Sequence, residues 1–404
     1  MAYTVNELGD AVGIVALALL VFDRTGAVAP TAGFFLIAKF LPAFFATGLT
    51  AHVDRWPLRR ALPALYAVEA LVFAALGYLA DDDRFLLPAV LVLGFLDGTL
   101  AITGRGLTRG AVAAVLQPHG LIGEGNALMN FGFAVASVGG AALGGALIAA
   151  LGLPAALFVD AGSFLVIAAL LVTSSKLPRP QHEEHETWLT RLRAGLGFAR
   201  AHRLIRMLMA GQSLALICFT IVVPIEVIYA KESLGTTSAG FGVLLSAWGA
   251  GIVLGSLLFL ALKSRSGFGL IVVASAAVGV SYVGMAAANS LLVACLMSVV
   301  GGAGNGTQWV AVMTALQKVT PQEYQARLSG LLESIGAALP GVGYLLGGAI
   351  ATVTSPRTAF AVAGAGIMAL VLAALLVRPG WERRAAAQTS TTTGSTMGRR
   401  LSRS

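Results

Sequence analysis

The chain has 404 residues, of which 57% are hydrophobic and only 11% charged. Water-soluble domains carry roughly 25% charged residues, so this composition lacks the polar surface that a soluble enzyme or a free nucleic-acid-binding protein requires. A net charge of +8 and a pI near 9.9 would suit nucleic acid. The basic residues, however, lie in short loops between apolar stretches, and that placement is a topology signal.

Apolar stretches of about twenty residues recur along the whole length, each enough to cross a ~30 Å hydrocarbon core as a helix. Spans are expected at 2–22, 31–51, 61–80, 86–108, 126–150 and 154–175. The first lacks a basic leader and a clear small-residue cleavage site, so it reads as a retained span rather than a signal peptide. A polar stretch over 176–206 follows, with Pro178, Pro180, several arginines and the run His182-Glu183-Glu184-His185-Glu186. That run could bind a metal or simply form a solvated loop. A second set of spans is expected at 207–230, 239–262, 268–288, 291–316, 328–352 and 357–378. Cys218 and Cys295 fall inside apolar segments without metal or redox spacing and read as bystanders. The Ser/Thr-rich, basic segment after Trp381 has the composition of a disordered tail.

If both chain ends lie on one side, the opposite side receives only Arg24, Arg84, Lys231 and Arg357, with Lys39 inside a span. All other Lys and Arg fall on the side of the ends, which the positive-inside rule makes cytoplasmic. Anionic lipid headgroups are the expected partners of this basic face.

The two sets of spans resemble each other. Ala111-Val112 through Leu116-Gln117 recurs about 200 residues later as Ala311-Val312 through Leu316-Gln317, and Leu143-Gly144-Gly145-Ala146 recurs as Leu346-Gly347-Gly348-Ala349. Because six is even, both halves enter from the same side and the repeat is parallel. Parallel halves suit a rocking mechanism with substrate held between them near mid-membrane. The expected organisation is an all-α integral membrane fold of about twelve helices. A six-helix bundle over 1–175 is followed by a cytoplasmic linker over 176–206, a second bundle over 207–378 and a basic tail over 379–404.

The loop after the second span reads Gly48-Leu49-Thr50-Ala51-His52-Val53-Asp54-Arg55-Trp56-Pro57-Leu58-Arg59-Arg60. Read alone, it is either an ordinary positive-inside loop or a place where Asp54 pairs with a base or caps a helix. It resembles the loop signature of the major facilitator superfamily, matching its Asp-Arg and basic-pair elements, although Gly48 stands one residue further from Asp54 than usual. More of the chain resembles the efflux branch that includes enterobactin exporters and macrolide efflux proteins: Leu8-Gly9-Asp10, Phe22-Asp23-Arg24-Thr25-Gly26, Leu41-Pro42, Asn126-Ala127-Leu128, Phe158-Val159-Asp160-Ala161-Gly162-Ser163-Phe164, Thr320-Pro321 and Arg327-Leu328-Ser329-Gly330. The fifth-helix motif of drug/proton antiporters is matched by Gly140-Ala141-Ala142-Leu143-Gly144-Gly145, with Ala141 in place of proline. Gly140, Gly144 and Gly145, with Gly347 and Gly348, are expected to let helices pack closely, the first three between the halves.

The resemblance implies a cavity lined by the first, fourth, seventh and tenth helices. A charge at the bilayer centre costs about 2.5–3.5 kcal/mol on insertion scales, which makes the charges inside the spans candidates for function. Asp10 and Asp97 are expected at similar depth, facing each other as a proton-carrying pair, or else held structurally, for instance Asp97 by Arg105. Lys39 would attract an anionic substrate or neutralise one of the acids. Glu226 belongs either to an outer gate or to the headgroup region. Gating or conformational roles are expected for Asp54, Arg55, Arg59, Arg60, Arg105 and Glu333. Glu69 and Asp160 are expected to be packing residues with local partners.

No nucleophile elbow, phosphate loop or His/Cys metal cluster is legible, so no catalytic residue, metal or cofactor is expected. The resemblance implies proton-coupled export of a small amphipathic compound by a monomer in the cell membrane, with substrate, protons and lipid as its partners. A lysophospholipid or metabolite transporter, or a transport-inactive scaffold or sensor, are the alternatives.

Overall fold

The computed structural model describes residues 2–53, 56–116, 119, 121–173, 197, 200–262, 267–320, 328, 331–332 and 334–376. Among these residues there is no strand. The chain runs as α1 (Ala2–Thr25), α2 (Val28–Phe35), a π-helical turn Leu36–Phe40, α3 (Pro42–Val53), α4 (Leu58–Leu79), α5 (Leu87–Leu116), α6 (Ile122–Leu151) and α7 (Leu153–Thr173). It continues with α8 (Arg203–Thr220), α9 (Ser238–Leu262), α10 (Gly267–Ala287), α11 (Leu291–Val319), α12 (Pro340–Val353) and α13 (Pro356–Leu376). The π turn joins α2 and α3 into one crossing, and short turns from Val223 to Ser233 extend α8 to the end of its own. Among the described residues eleven helices are long and apolar enough to cross a membrane, and α6, with its shorter apolar stretch Val138–Leu151, is the twelfth, giving two bundles of six. The segment 176–196, most of the expected linker, and the tail after Leu376 lie outside the described residues.

Two crossings are broken for identifiable reasons. Pro42 has no N–H to offer the carbonyl of Ala38, and Leu41 N–H instead reaches back five residues to Leu36 O at 3.0 Å. Pro224 interrupts the seventh crossing, where Ile225 N–H bonds to Val222 O in a tighter turn. In both places a glycine of a neighbouring helix lies over a carbonyl at the break: a Cβ on Gly98 would collide with Ala38 O, and one on Gly347 with Ile221 O.

The four basic residues that the positive-inside count set apart gather on one face, here called the far face, where α1 ends. Arg24 bonds to Asp82 and to Ala80 O, and Arg84 to Asp81 at 3.0 Å. Lys231 reaches Asp23 at 3.4 Å and Ser238 Oγ at 3.2 Å, while Arg357 donates to Ser233 O and Ala286 O at 3.0 and 2.8 Å. The Asp23–Lys231 pair joins the two bundles.

The repeated glycines explain how the bundles meet. Gly144 faces α1 of its own bundle, where a Cβ would lie 3.1 Å from Val12 Cα; Gly145 faces the other bundle, 2.8 Å from Ser238 O and 3.1 Å from Gly242 Cα. Gly347 likewise packs on Ile221 of its own bundle, and Gly348 crosses to Ala32 at 2.6 Å. In each half, therefore, the first glycine closes a bundle and the second closes the seam. Gly140 packs against Ala11 and Leu8 O of α1, so it and Gly144 serve the inside of the first bundle rather than the contact between halves. One turn of α6 must hold α1 on one side and α9 on the other, and one glycine can face only one of them.

Candidate transport site

The seam extends inward from the far face. Phe35 of α2 meets Tyr344 of α12 edge-on at 6.1 Å, and a Cβ on Gly341 would strike the ring of Phe40. The charged side chains of the first bundle begin at the depth where these contacts end.

Lys39 lies in the π turn, and its Nζ stands 3.8 Å from Asp97 Oδ2. The local chain explains the meeting: Gly98 lets α5 ride directly on the Ala38 carbonyl, which brings the adjacent Asp97 to Lys39. Asp97 is almost fully buried and Lys39 is about one quarter exposed. This puts Lys39 beside an acid, the arrangement that a neutralising role would require.

A second ion-paired level lies closer to the near face. Arg105 Nη2 donates to Asp10 Oδ2 at 2.6 Å, and its Nε stands 3.1 Å from Glu7 Oε1. One guanidinium thus joins two carboxylates of α1 to α5. Arg105 follows Asp97 by eight residues on the same helix, about 12 Å along the axis, so it cannot be the partner of Asp97. The same rise puts Asp97 about 15 Å, and Asp10 about 22 Å, from the far ends of their helices. The expected facing pair is therefore two levels, each acid held by its own base. Glu7 was not anticipated; its position one turn before Asp10 on a polar edge of α1 was the available signal.

Other expected residues are placed differently. Arg59 and Arg60 are exposed in the first turn of α4. Asp54, Arg55 and Glu333 lie outside the described residues. Glu226 follows the break in the seventh crossing, half-buried, within electrostatic reach of Tyr282 and Tyr344. Tyr344 is a seam residue, so Glu226 lies near the seam. Glu69 and Asp160 were expected to have local partners. Asp160 Oδ1 does accept from Ser163 at 3.2 Å, but Asp160 Oδ2 and Glu69 Oε2 are buried without any hydrogen bond.

The second bundle joins the corresponding helices without charge. Gln308 of α11 donates to Gln212 of α8 at 2.6 Å, both side chains buried. This amide pair lines a cavity of about 180 Å³ with Phe219, Ser275, Asn305 and Trp309. It also closes the end of an apolar cleft of about 300 Å³ bounded by Met207, Phe268, Ile271 and Leu370. Sequence reading passed over both glutamines because a neutral amide in a span does not stand out as a charge does.

The model of one family, described as transmembrane secretion effector, matches residues 1–401. The chain belongs to this family of major facilitator transporters. A search of curated proteins returns no match. Among solved structures, the nucleoside transporter NupG superposes with a TM-score of 0.71 at 13% identity, covering 93% of this chain and 96% of that one. A bacterial homologue of the iron transporter ferroportin gives 0.70 at 14% identity over 93% and 96%. A bacterial homolog of the human lysosomal transporter Spinster gives 0.66 at 14% over 93% of both chains. At such identities the likeness establishes the fold, and the family match makes this membrane protein a transporter, not an enzyme.

In the transporter, the two ion-paired levels couple three crossings of the first bundle: α1 and α5 through Asp10 and Arg105, the second crossing and α5 through Lys39 and Asp97. Arg105 is more than one third exposed and Lys39 about one quarter, whereas their acids are nearly enclosed.

Proposed function

We propose that the transporter exports a small amphipathic compound in exchange for protons, by alternating access of a central site between its two bundles. The observation that carries this reading is the pair of ion bridges, Lys39–Asp97 and Asp10–Arg105, with nearly enclosed acids and partly exposed bases, at successive depths of the first bundle. Each can be opened by a proton on the acid or by a substrate group that competes for the base. The resemblance of Gly140–Gly145 to the fifth-helix motif of drug/proton antiporters, with Ala141 in place of proline, supports the same direction. In this reading the near face, where the basic loops lie, is cytoplasmic, and the membrane is the cell membrane. The Asp23–Lys231 pair and the Gly145 and Gly348 contacts hold the outer side closed.

The experiment is drug accumulation in cells lacking their own pumps, over a panel of toxic amphipathic compounds. Expression should lower accumulation of at least one compound, and a proton-collapsing ionophore should abolish the difference. Equal accumulation with and without the ionophore would reject proton coupling.

A lysophospholipid-like substrate is the second reading, favoured by the apolar cleft of about 300 Å³ beside the Gln212–Gln308 pair. Substrate-stimulated proton flux in proteoliposomes, compared between drug-like cations and single-chain lipids, separates the two.

A further inference from the structure

The charges enclosed by the first bundle do not balance. Five carboxylates lie inside it: Glu7 and Asp10 from α1, Glu69 from α4, Asp97 from α5 and Asp160 from α7. The described cations within reach are Lys39 and Arg105, and both are committed, Lys39 to Asp97 and Arg105 to Asp10 and Glu7. The remaining neighbour that can ionise is Tyr66, one turn before Glu69 on α4. Glu69 and Asp160 are 1% and 2% exposed, and one oxygen of each has no hydrogen-bond partner.

The position of Asp160 is tightly fixed. A Cβ on Gly9 of α1 would lie 2.5 Å from its Oδ1, and one on Gly13 would lie 2.9 Å from its Oδ2 and 2.8 Å from the ring of Phe73. The carboxyl thus rests against the bare backbone of α1. Asn6 shares that α1 face, three residues before Gly9, and its Oδ1 is also buried without a donor. An ionised carboxylate only accepts hydrogen bonds, whereas a protonated one also donates. A group of buried acceptors without donors is chemically satisfied by added protons.

The cost of the alternative is large. An uncompensated carboxylate inside the hydrocarbon region is strongly disfavoured, and two enclosed together also repel each other. A bound metal ion would need several converging ligands, and among the described residues no group of three or more His, Cys, Asp or Glu is placed to hold one.

We propose that Glu69 and Asp160 form a proton-binding site behind α1, distinct from the two ion-paired levels, whose protons are the ones exchanged for substrate; the coupling half of this statement rests on the proton-driven reading above. When α1 withdraws from α7 during rocking, its Gly9–Gly13 edge uncovers Asp160. The carboxylic acid then passes its proton to water on the near side and becomes a carboxylate, which takes up the next proton from the far side once the bundles have rocked open there. The site is loaded while the α1–α7 contact is closed, as in this structure.

The test uses the full-length purified transporter. In infrared difference spectra at neutral pH, the carbonyl-stretch band of protonated carboxylic acids should be present, and part of it should vanish in Glu69→Gln and in Asp160→Asn. Both variants should fold as the wild type does, since each replaces a neutral group by a neutral one. In proteoliposomes they should retain substrate exchange at equilibrium and lose at least ten-fold in uphill, proton-driven export. Absence of the band from the wild type, or its appearance only after sodium removal, would overturn the proton site. Variants that lose the band yet keep uphill export would overturn its coupling role. If the wild type itself shows no proton-driven transport, the proposed function fails, and the infrared band alone then decides whether the site holds protons.

Discussion

Replacing Arg105 by Gln, with and without Asp10→Asn, probes the level nearest the near face. Arg105 serves Asp10 at 2.6 Å and Glu7 at 3.1 Å, with side-chain exposures of 38%, 10% and 3% respectively. Breaking a fully buried pair costs about 3–5 kcal/mol because the surviving charge is stranded, and an exposed pair is worth about 0–1 kcal/mol. With the guanidinium over one-third exposed, Arg105→Gln should cost about 3 kcal/mol, since it strands two carboxylates. Asp10→Asn leaves Arg105 its Glu7 partner and should cost about 1 kcal/mol. The double variant should then be less destabilised than the sum of the single ones by about 2 kcal/mol. Reversible unfolding in mixed micelles measures this cycle. Additivity within about 0.5 kcal/mol would show that the two side chains do not interact, and the bridge described here would be wrong.

Three further perturbations test other parts of the structure. Lys39→Met should destabilise by about 2–4 kcal/mol by leaving Asp97 charged in the bundle, and adding Asp97→Asn should recover most of the loss in the same unfolding assay. Gly145→Val should leave the first bundle stable while forcing α6 and α9 apart, read as increased labelling of a cysteine placed at Ala32. Gly144→Val should instead lower the thermal midpoint, and the opposite assignment would reverse the roles given to the two glycines. Gln308→Leu should cost about 1–3 kcal/mol by orphaning the Gln212 amide, whereas Gln212→Leu with Gln308→Leu should approach wild-type stability and abolish any discrimination between polar and apolar substrates.

Much of the architecture was legible because lipid leaves a coarse record. Spans must be long and apolar, and most helices lie within a few residues of their expected limits, although α5 runs on to Leu116 and α12 begins only at Pro340. The repeat also had a physical meaning, since Gly144-Gly145 and Gly347-Gly348 do the same two jobs in the two halves. Partner choice was not legible. Asp97 finds Lys39 only because Pro42 and the π turn shift the second crossing by part of a turn, and because Gly98 admits the close approach. Such offsets change which side chains meet without changing any span. The Gln212–Gln308 bridge and the unpaired oxygens of Glu69 and Asp160 were hidden for a related reason: whether a polar group in a helix is satisfied depends on neighbours from three other helices.

The central claim is that the two bundles rock about a seam now closed at the far face, where Asp23 and Lys231 stand 3.4 Å apart. The most direct measurement is transport by a variant carrying Asp23→Cys and Lys231→Cys, with Cys218 and Cys295 replaced by Ser. A short bis-methanethiosulfonate reagent should cross-link the pair and stop export in the accumulation assay, and a reductant should restore it. Undiminished export by fully cross-linked protein would contradict the account.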